Sequence, residues 1–396
     1  MRISTYTFQN DAVSQMDALQ SALQQTQQEL STGLKLQNAA DDPTGMAQVN
    51  QMDVEVSAST QYVTNSNTAQ TNLQLEQQAL TNASNVMQNA NTLAVEANNS
   101  ALSPADRQDI ATQLQQDLQS LVSVANSTDG NGNYLFGGYA NTSPPFTQSG
   151  GTVSYNGSDQ VTQVQISSNQ SITSGDSGAT GFMDVPTGNG TFATSAAATN
   201  TGTASIGAGS ITNASAWVPG TYTISFTDPT NYQITNSGGT VVSSGTYTNG
   251  GTISFNGANV TLNGTPAAGD QFTLTPAGTS SAFSALSNLI TTLNSTTLNN
   301  GQLTTQINTA VQQIQNSITN FSNVSASVGA RLNAITAAQS TATAVQTTLK
   351  TNVSTLQDTD YTVATTQLST EELALQAAQE SYASLEKLSL FNYIQG

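Results

Sequence analysis

The chain has no cysteine and no histidine. Disulfides, thiolate nucleophiles, imidazole bases and Cys or His metal sites are thereby excluded. Charge is scarce too: Asp, Glu, Lys and Arg make up 8% of 396 residues, against about 25% in an ordinary soluble protein. The only basic residues are Arg2, Lys35, Arg107, Arg331, Lys350 and Lys387, and the formal net charge is -18. Such a chain cannot neutralise a phosphate backbone, and an anionic membrane surface repels it, so neither nucleic acid nor membrane is a partner. No Gly-Lys pair exists to cradle a phosphate. No apolar run approaches the ~18 residues of a membrane span, and none follows Arg2 as a cleavable signal would require. The expectation is a soluble chain which, if exported, leaves by a route that cleaves nothing.

What the chain has is helical periodicity at both ends. Ile307, Ile314, Phe321, Val328, Ile335, Ala342, Leu349 and Leu356 recur every seven residues, with Val311, Ile318, Leu332 and Val353 four positions on. Rows at i and i+4 share one helix face. Uninterrupted by proline from Leu303 to Leu356, this segment predicts a helix of roughly 80 Å at 1.5 Å per residue. It needs partners, and the first third of the chain offers them. Leu73, Leu80, Met87 and Ala94 repeat by seven, with Ala69, Ala83, Ala90 and Ala97 alongside. Ser103-Pro104-Ala105-Asp106 reads as a capping-box start. The helix that follows shows Ile110, Leu114, Leu118, Leu121 and Ala125 on one face and stops at Asp129-Gly130-Asn131-Gly132. Shorter patterns occupy the two extremes. Met16, Leu19, Leu23 and Leu30 form one, weakened by Thr26 and Gly33. Tyr361, Ala364, Leu368, Leu375, Ala378, Tyr382 and Leu385 form the other, before the ending Leu388 to Ile394. Residues 37–45, with Pro43 and Gly45, read as a turn or linker.

Between about 141 and 280, Gly, Thr, Ser and Asn dominate. Thr221–Phe226, Thr240–Thr248, Thr252–Phe255 and Gln271–Thr275 read as strands between Asn/Gly turns. Residues 187–215 carry so little pattern that they read as loop. The fold class is α+β: a long helical coiled-coil or bundle core made from both termini, with an inserted β-rich domain. Three domains are expected: a terminal coiled coil (1–45 with 357–396), a helical core (46–140 with 281–356) and the β insertion (141–280). The terminal pair carries few large apolar side chains for its length, so it is expected to be marginal alone and to order on assembly.

No catalytic, cofactor or metal residue is identified. Gly175-Asp176-Ser177-Gly178 has the form of a serine-nucleophile loop but lacks a histidine base, so it reads as a polar turn. Asp41-Asp42 and the pair Asp358 and Asp360 read as solvated turns or subunit contacts rather than acid/base or cation sites. Tyr134-Leu135-Phe136 reads as a cap on the helical core in preference to a ligand cluster. Trp217 and scattered tyrosines leave open a surface adhesin with a carbohydrate-binding β domain; an outward spacer is favoured.

Several motifs carry a resemblance. Met1-Arg2-Ile3-Ser4-Thr5, Gly33-Leu34 through Asn38-Ala39-Ala40-Asp41-Asp42-Pro43, Asn133-Tyr134-Leu135-Phe136-Gly137-Gly138, Ser327-Val328-Gly329-Ala330-Arg331-Leu332-Asn333 and Ser389-Leu390-Phe391-Asn392-Tyr393-Ile394 resemble the flagellin family over roughly 1–145 and 280–396. The two ends and the Phe136 loop are similar to its hook–filament junction members, with a filament flagellin as the alternative. The resemblance implies a non-enzymatic structural subunit in the extracellular flagellum, exported unfolded by the type III apparatus. Its implied partners are hook-associated protein 1 on the hook side, flagellin on the filament side, its own copies in a ring, and a cytosolic export chaperone at the C-terminal segment. The terminal seams then serve assembly, through Met16, Leu19, Leu23, Leu30, Leu368, Leu375, Tyr382, Leu385, Leu390 and Phe391. Leu93-Ala94-Val95-Glu96-Ala97 resembles the flagellin helix read by an innate immune receptor. Asn89 and Asn91 stand where flagellin has arginines, which implies weak receptor activation.

Overall fold

The structure is a computed structural model that describes the backbone of residues 5–394 and the side chains of 7–384. Among the described residues, three α-helices precede and three follow a run of short strands in the chain. They are α1 (Thr5–Thr32), α2 (Pro43–Ala97), α3 (Pro104–Ala125), α4 (Ala282–Leu293), α5 (Asn300–Gln357) and α6 (Tyr361–Ile394). The strands are β1 (Phe146–Ser149), β2 (Thr152–Tyr155), β3 (Gln163–Ser167), β4 (Gln170–Thr173), β5 (Val185–Pro186), β6 (Phe192–Ala196), β7 (Ser205–Ile206), β8 (Ser210–Ile211), β9 (Tyr222–Phe226), β10 (Asn231–Asn236), β11 (Val241–Thr246), β12 (Thr252–Phe255), β13 (Ala258–Asn263), β14 (Gln271–Pro276) and β15 (Thr279–Ser280). The α+β reading therefore holds. No helix among the described residues is long and apolar enough to cross a membrane.

The chain forms two compact units, Met1–Val63 with Gln339–Gly396, and Thr64–Ala338. In the first, α1 and α6 pair antiparallel: Thr26 meets Glu371, and further along Thr359 N–H donates to Gly33 O. The helix α2 begins at Pro43, inside the segment read as a linker. Proline suits a first helical turn because its missing N–H would be unpaired there anyway. The Asp42 carboxylate accepts from Thr44 N–H and Oγ1 just ahead of it.

The second unit has two cores. In the first, the buried rows of α2 (Leu73, Leu80, Met87), α3 (Leu114, Leu118, Leu121), α4 (Phe283, Leu286, Leu289) and α5 (Ile307, Ile314, Phe321, Val328, Ile335) form one cluster. Helix α3 has the anticipated capping box: Asp106 N–H donates to Ser103 Oγ, and Ser103 N–H to the Asp106 carboxylate. Five phenyl rings cap these helices. Phe182, in the π-helical turn Ala179–Met183, touches Phe136, Phe146, Phe283 and Phe321 at centroid distances of 5.0, 5.5, 5.7 and 5.1 Å. Phe136 is fully buried, so the Tyr134-Leu135-Phe136 segment packs on the helical core.

The other core belongs to β6–β14. A five-stranded antiparallel sheet in the order β11-β10-β9-β14-β6 faces a smaller sheet of β12, β13, β7 and β8. Alternation puts Tyr222, Ile224 and Phe226 inward from β9 and Ala258, Val260 and Leu262 inward from β13, as period-2 strands with one covered face require. Residues 187–215 are not loop throughout: they contain β6, β7 and β8, with Phe192 and Ile206 buried. Their order comes from distant partners. β6 pairs with β14, while buried Asp270 accepts from Thr201 and Gly202 N–H. Periodicity within the segment could not reveal such bonds.

Candidate functional site

The turn between α1 and α2 is densely hydrogen-bonded. Gly33 takes φ +74°, a left-handed conformation at the end of α1 that glycine adopts without strain. The Tyr361 hydroxyl lies 3.0 Å from where a Cβ would stand, a close approach that an added methyl would meet by displacing the tyrosine tip. Lys35 and Leu36 N–H both donate to Gln357 O, and Lys35 Nζ donates to Thr355 O. The Asp41 carboxylate accepts from Gln37 and Asn38 N–H. The Gly45 backbone N–H, followed by the Thr44 hydroxyl, holds the Asp42 carboxyl below its ordinary range. On the other strand of the elbow, Asp358 accepts from Ser354 and Asp360 caps α6 through Thr362 and Val363 N–H. These four carboxylates are thus committed to turn and cap hydrogen bonds within the chain. The 33–45 motif and the 357–361 interruption form one elbow.

The anticipated assembly residues flank that elbow. Met16, Leu19, Leu23 and Leu30 on α1 and Leu368, Leu375 and Tyr382 on α6 are all half-buried. Among the described side chains, the deeply buried members of the pair are instead Thr26 and Ala364. Phe8, Val363 and Leu373 are 49%, 60% and 68% exposed, so the pair leaves apolar surface uncovered. Leu385, Leu390 and Phe391 lie outside the residues whose side chains are described. The seam of α5 shows the same contrast: Ile307 through Ile335 are buried, whereas Ala342, Leu349 and Leu356 are half-buried.

A second polar cluster lies in the Thr64–Ala338 unit. The 175–178 segment bends and then leads into the π-helical turn Ala179–Met183, and its aspartate has a partner that the reading missed. Asp176 forms an ion pair with Arg331 of α5. Arg331 Nη1 also donates to Thr173 Oγ1 at 2.9 Å. Asp176 N–H donates to Glu76 Oε1 of α2 at 3.2 Å, and Glu76 is 1% exposed. Burial, then the adjacent Asp176 carboxylate, pushes the Glu76 carboxyl up to about 9, with Arg331 opposing. A lone glutamate on an otherwise apolar helix face was the available sequence signal. Among the described residues no group of three or more acidic, His or Cys side chains is placed to hold a metal. Trp217 packs between Phe192 and Tyr222 at 5.3 and 5.6 Å, joining the sandwich core rather than standing out as a sugar platform.

Residues 3–141 match the bacterial flagellin N-terminal helical region, and residues 195–276 match the D2-like domain of flagellar hook-associated protein 1. The chain is 32% identical over 185 residues to flagellar hook-associated protein 3 of Salmonella typhimurium, covering 47% of this chain and 58% of the relative. It therefore spans less than two thirds of that relative's length. The crystal structure of FlgL from Xanthomonas campestris is 36% identical with a TM-score of 0.71, covering 76% of this chain and 99% of that one. The flagellar junction protein FlgL from Legionella pneumophila is 28% identical with a TM-score of 0.70, covering 78% and 100%. With helical ends, elbow and β insertion arranged as described, the chain belongs to the flagellar hook-associated protein 3 (FlgL) family.

Proposed function

We propose that this chain is a structural subunit of the bacterial flagellum that joins hook to filament as a ring of its own copies. The observation that carries this is the pairing of α1 with α6, closed by the Gly33–Asp358 elbow yet leaving its apolar seam half-covered, in a chain of the FlgL family. Half-covered seams gain free energy by packing against neighbours. In this reading hook-associated protein 1 contacts the hook side, flagellin the filament side, and a cytosolic chaperone holds the C-terminal segment before type III export without a cleaved signal. Residues 1–45 and 357–396 act as the assembling coiled coil, 46–140 and 281–356 as the helical core, and 141–280 as the outer β domain. The chain is a scaffold and performs no catalysis.

Deletion of the gene tests this. Intact hooks with monomeric flagellin released into the medium are expected. Restoration of filaments by the wild-type gene but not by Leu19→Asp or Leu375→Asp would place those residues in assembly. Loss of extracellular flagellin itself would make the chain a filament subunit, and normal filaments in the deletion strain would overturn the junction role.

A further inference from the structure

Glu76 lies on α2 between the buried leucines Leu73 and Leu80, on the face turned toward the core. Its Oε1 accepts the Asp176 N–H, while its Oε2 is buried without any hydrogen-bond partner. Beside it, the Asp176 carboxylate is taken by Arg331. Two carboxylates thus face one guanidinium. Arg331 is also the only basic residue between Arg107 and Lys350 in the sequence, and among the described residues it is the one cation that acts on Glu76. Asp129 is a third carboxylate, lining the same polar cavity of about 330 Å³ with Thr68, Asn72, Asn133 and Thr162. An ionised Glu76 would leave an uncompensated negative charge in the core, which is far costlier than a neutral carboxyl group there.

We propose that Glu76 is a proton-binding site that couples folding of the Thr64–Ala338 unit to uptake of one proton. The neutral carboxyl lets the 174–178 segment bridge α2 and α5 without repulsion between Glu76 and Asp176. The adjoining polar cavity gives water, and hence the proton, access to the site. The unfolded chain carries this glutamate ionised at neutral pH and the folded chain carries it neutral. Between the ordinary glutamate range and the raised folded value, the folded state holds the extra proton. Rising pH therefore lowers the folding constant by about tenfold per unit, and the effect saturates above the folded value.

The experiment is denaturant unfolding of the full chain from about pH 5 to about pH 9, with folding calorimetry in buffers of different ionisation enthalpy. Wild type is expected to take up about one proton near pH 7. Glu76→Gln, isosteric with the neutral acid, is expected to lose that slope and to be the more stable form at alkaline pH. An unchanged slope in Glu76→Gln would overturn the proposal. If the variant does not fold, infrared spectroscopy of wild type decides: a protonated-carboxyl stretch that titrates in the alkaline range supports the site, and its absence at neutral pH overturns it.

Discussion

Thr26 on α1 donates its hydroxyl hydrogen to the Glu371 carboxylate of α6 across 2.9 Å, and is itself only 2% exposed. The threonine that looked like a flaw in the α1 seam is the most buried of the described α1 side chains. Thr26→Val keeps the shape and removes the donor. With Glu371 half-buried and able to turn toward water, the expected loss is about 1 kcal/mol, or roughly fivefold faster amide exchange across α1.

The half-covered terminal pair leads to a second expectation. In purified monomer, the amides of Leu19 and Leu375 should exchange far faster than those of Leu80 and Phe321. The latter two side chains are fully enclosed in the helical core, and exchange tracks local opening. Equal protection at all four positions would mean that the ends are stable alone and need no assembly to order.

Phe182 joins four other phenyl rings at the top of that core. Phe182→Ala should cost about 3–5 kcal/mol through lost burial and a residual cavity. The check is the shift in denaturant midpoint of the full chain.

Gly138 has φ +59°, and an added Cβ would stand 2.0 Å from Ser158 O. The obstacle is backbone, which cannot swing aside. Gly138→Ala should destabilise the Asn133–Gly138 loop by about 2 kcal/mol or more, whereas Gly132→Ala, also at positive φ but with open space around it, should cost less. Thermal unfolding of the two variants side by side distinguishes steric blockage from backbone preference.

Asn89 Nδ2 donates to both Asp117 carboxylate oxygens, at 3.0 and 2.9 Å, so its side chain is tied to α3. Val95 on the same helix is 58% exposed. Of the segment Leu93–Ala97, Val95 and Glu96 face outward while Leu93, Ala94 and Ala97 are buried. Weak activation is expected in a receptor-reporter assay, and a potent response would sink that expectation.

Sequence periodicity revealed the elements whose stabilising contacts repeat along the chain. Leu73, Leu80 and Met87 advertise α2, and Ser103 with Asp106 marks the start of α3. The strands β9, β11, β12 and β14 lay within or beside the alternating stretches read as strands. What escaped notice depends on single long-range contacts. Phe192 and Ile206 are isolated apolar residues until β14 and β13 supply partners. Glu76, Asp176 and Arg331 stand far apart in the chain and acquire meaning only when the fold brings them together. The elbow was half legible: its turn residues were plain, but nothing local announced that Gly33 meets Tyr361 or that Leu34 bridges to Asp358.

The strands β5 and β15 are only two residues each, yet they pair Val185 with Ser280 and Pro186 with Thr279. The polypeptide thus departs into the β6–β14 sandwich and returns from it at the same place. The sandwich encloses its own core and meets the start of α5 through hydrogen bonds of Gln302 and Thr305, groups that water can satisfy. Topologically it is a cassette. It can be lengthened, exchanged or trimmed to a tight turn while its two anchor points stay fixed, so the sandwich is free to diversify independently of the packing of the helices.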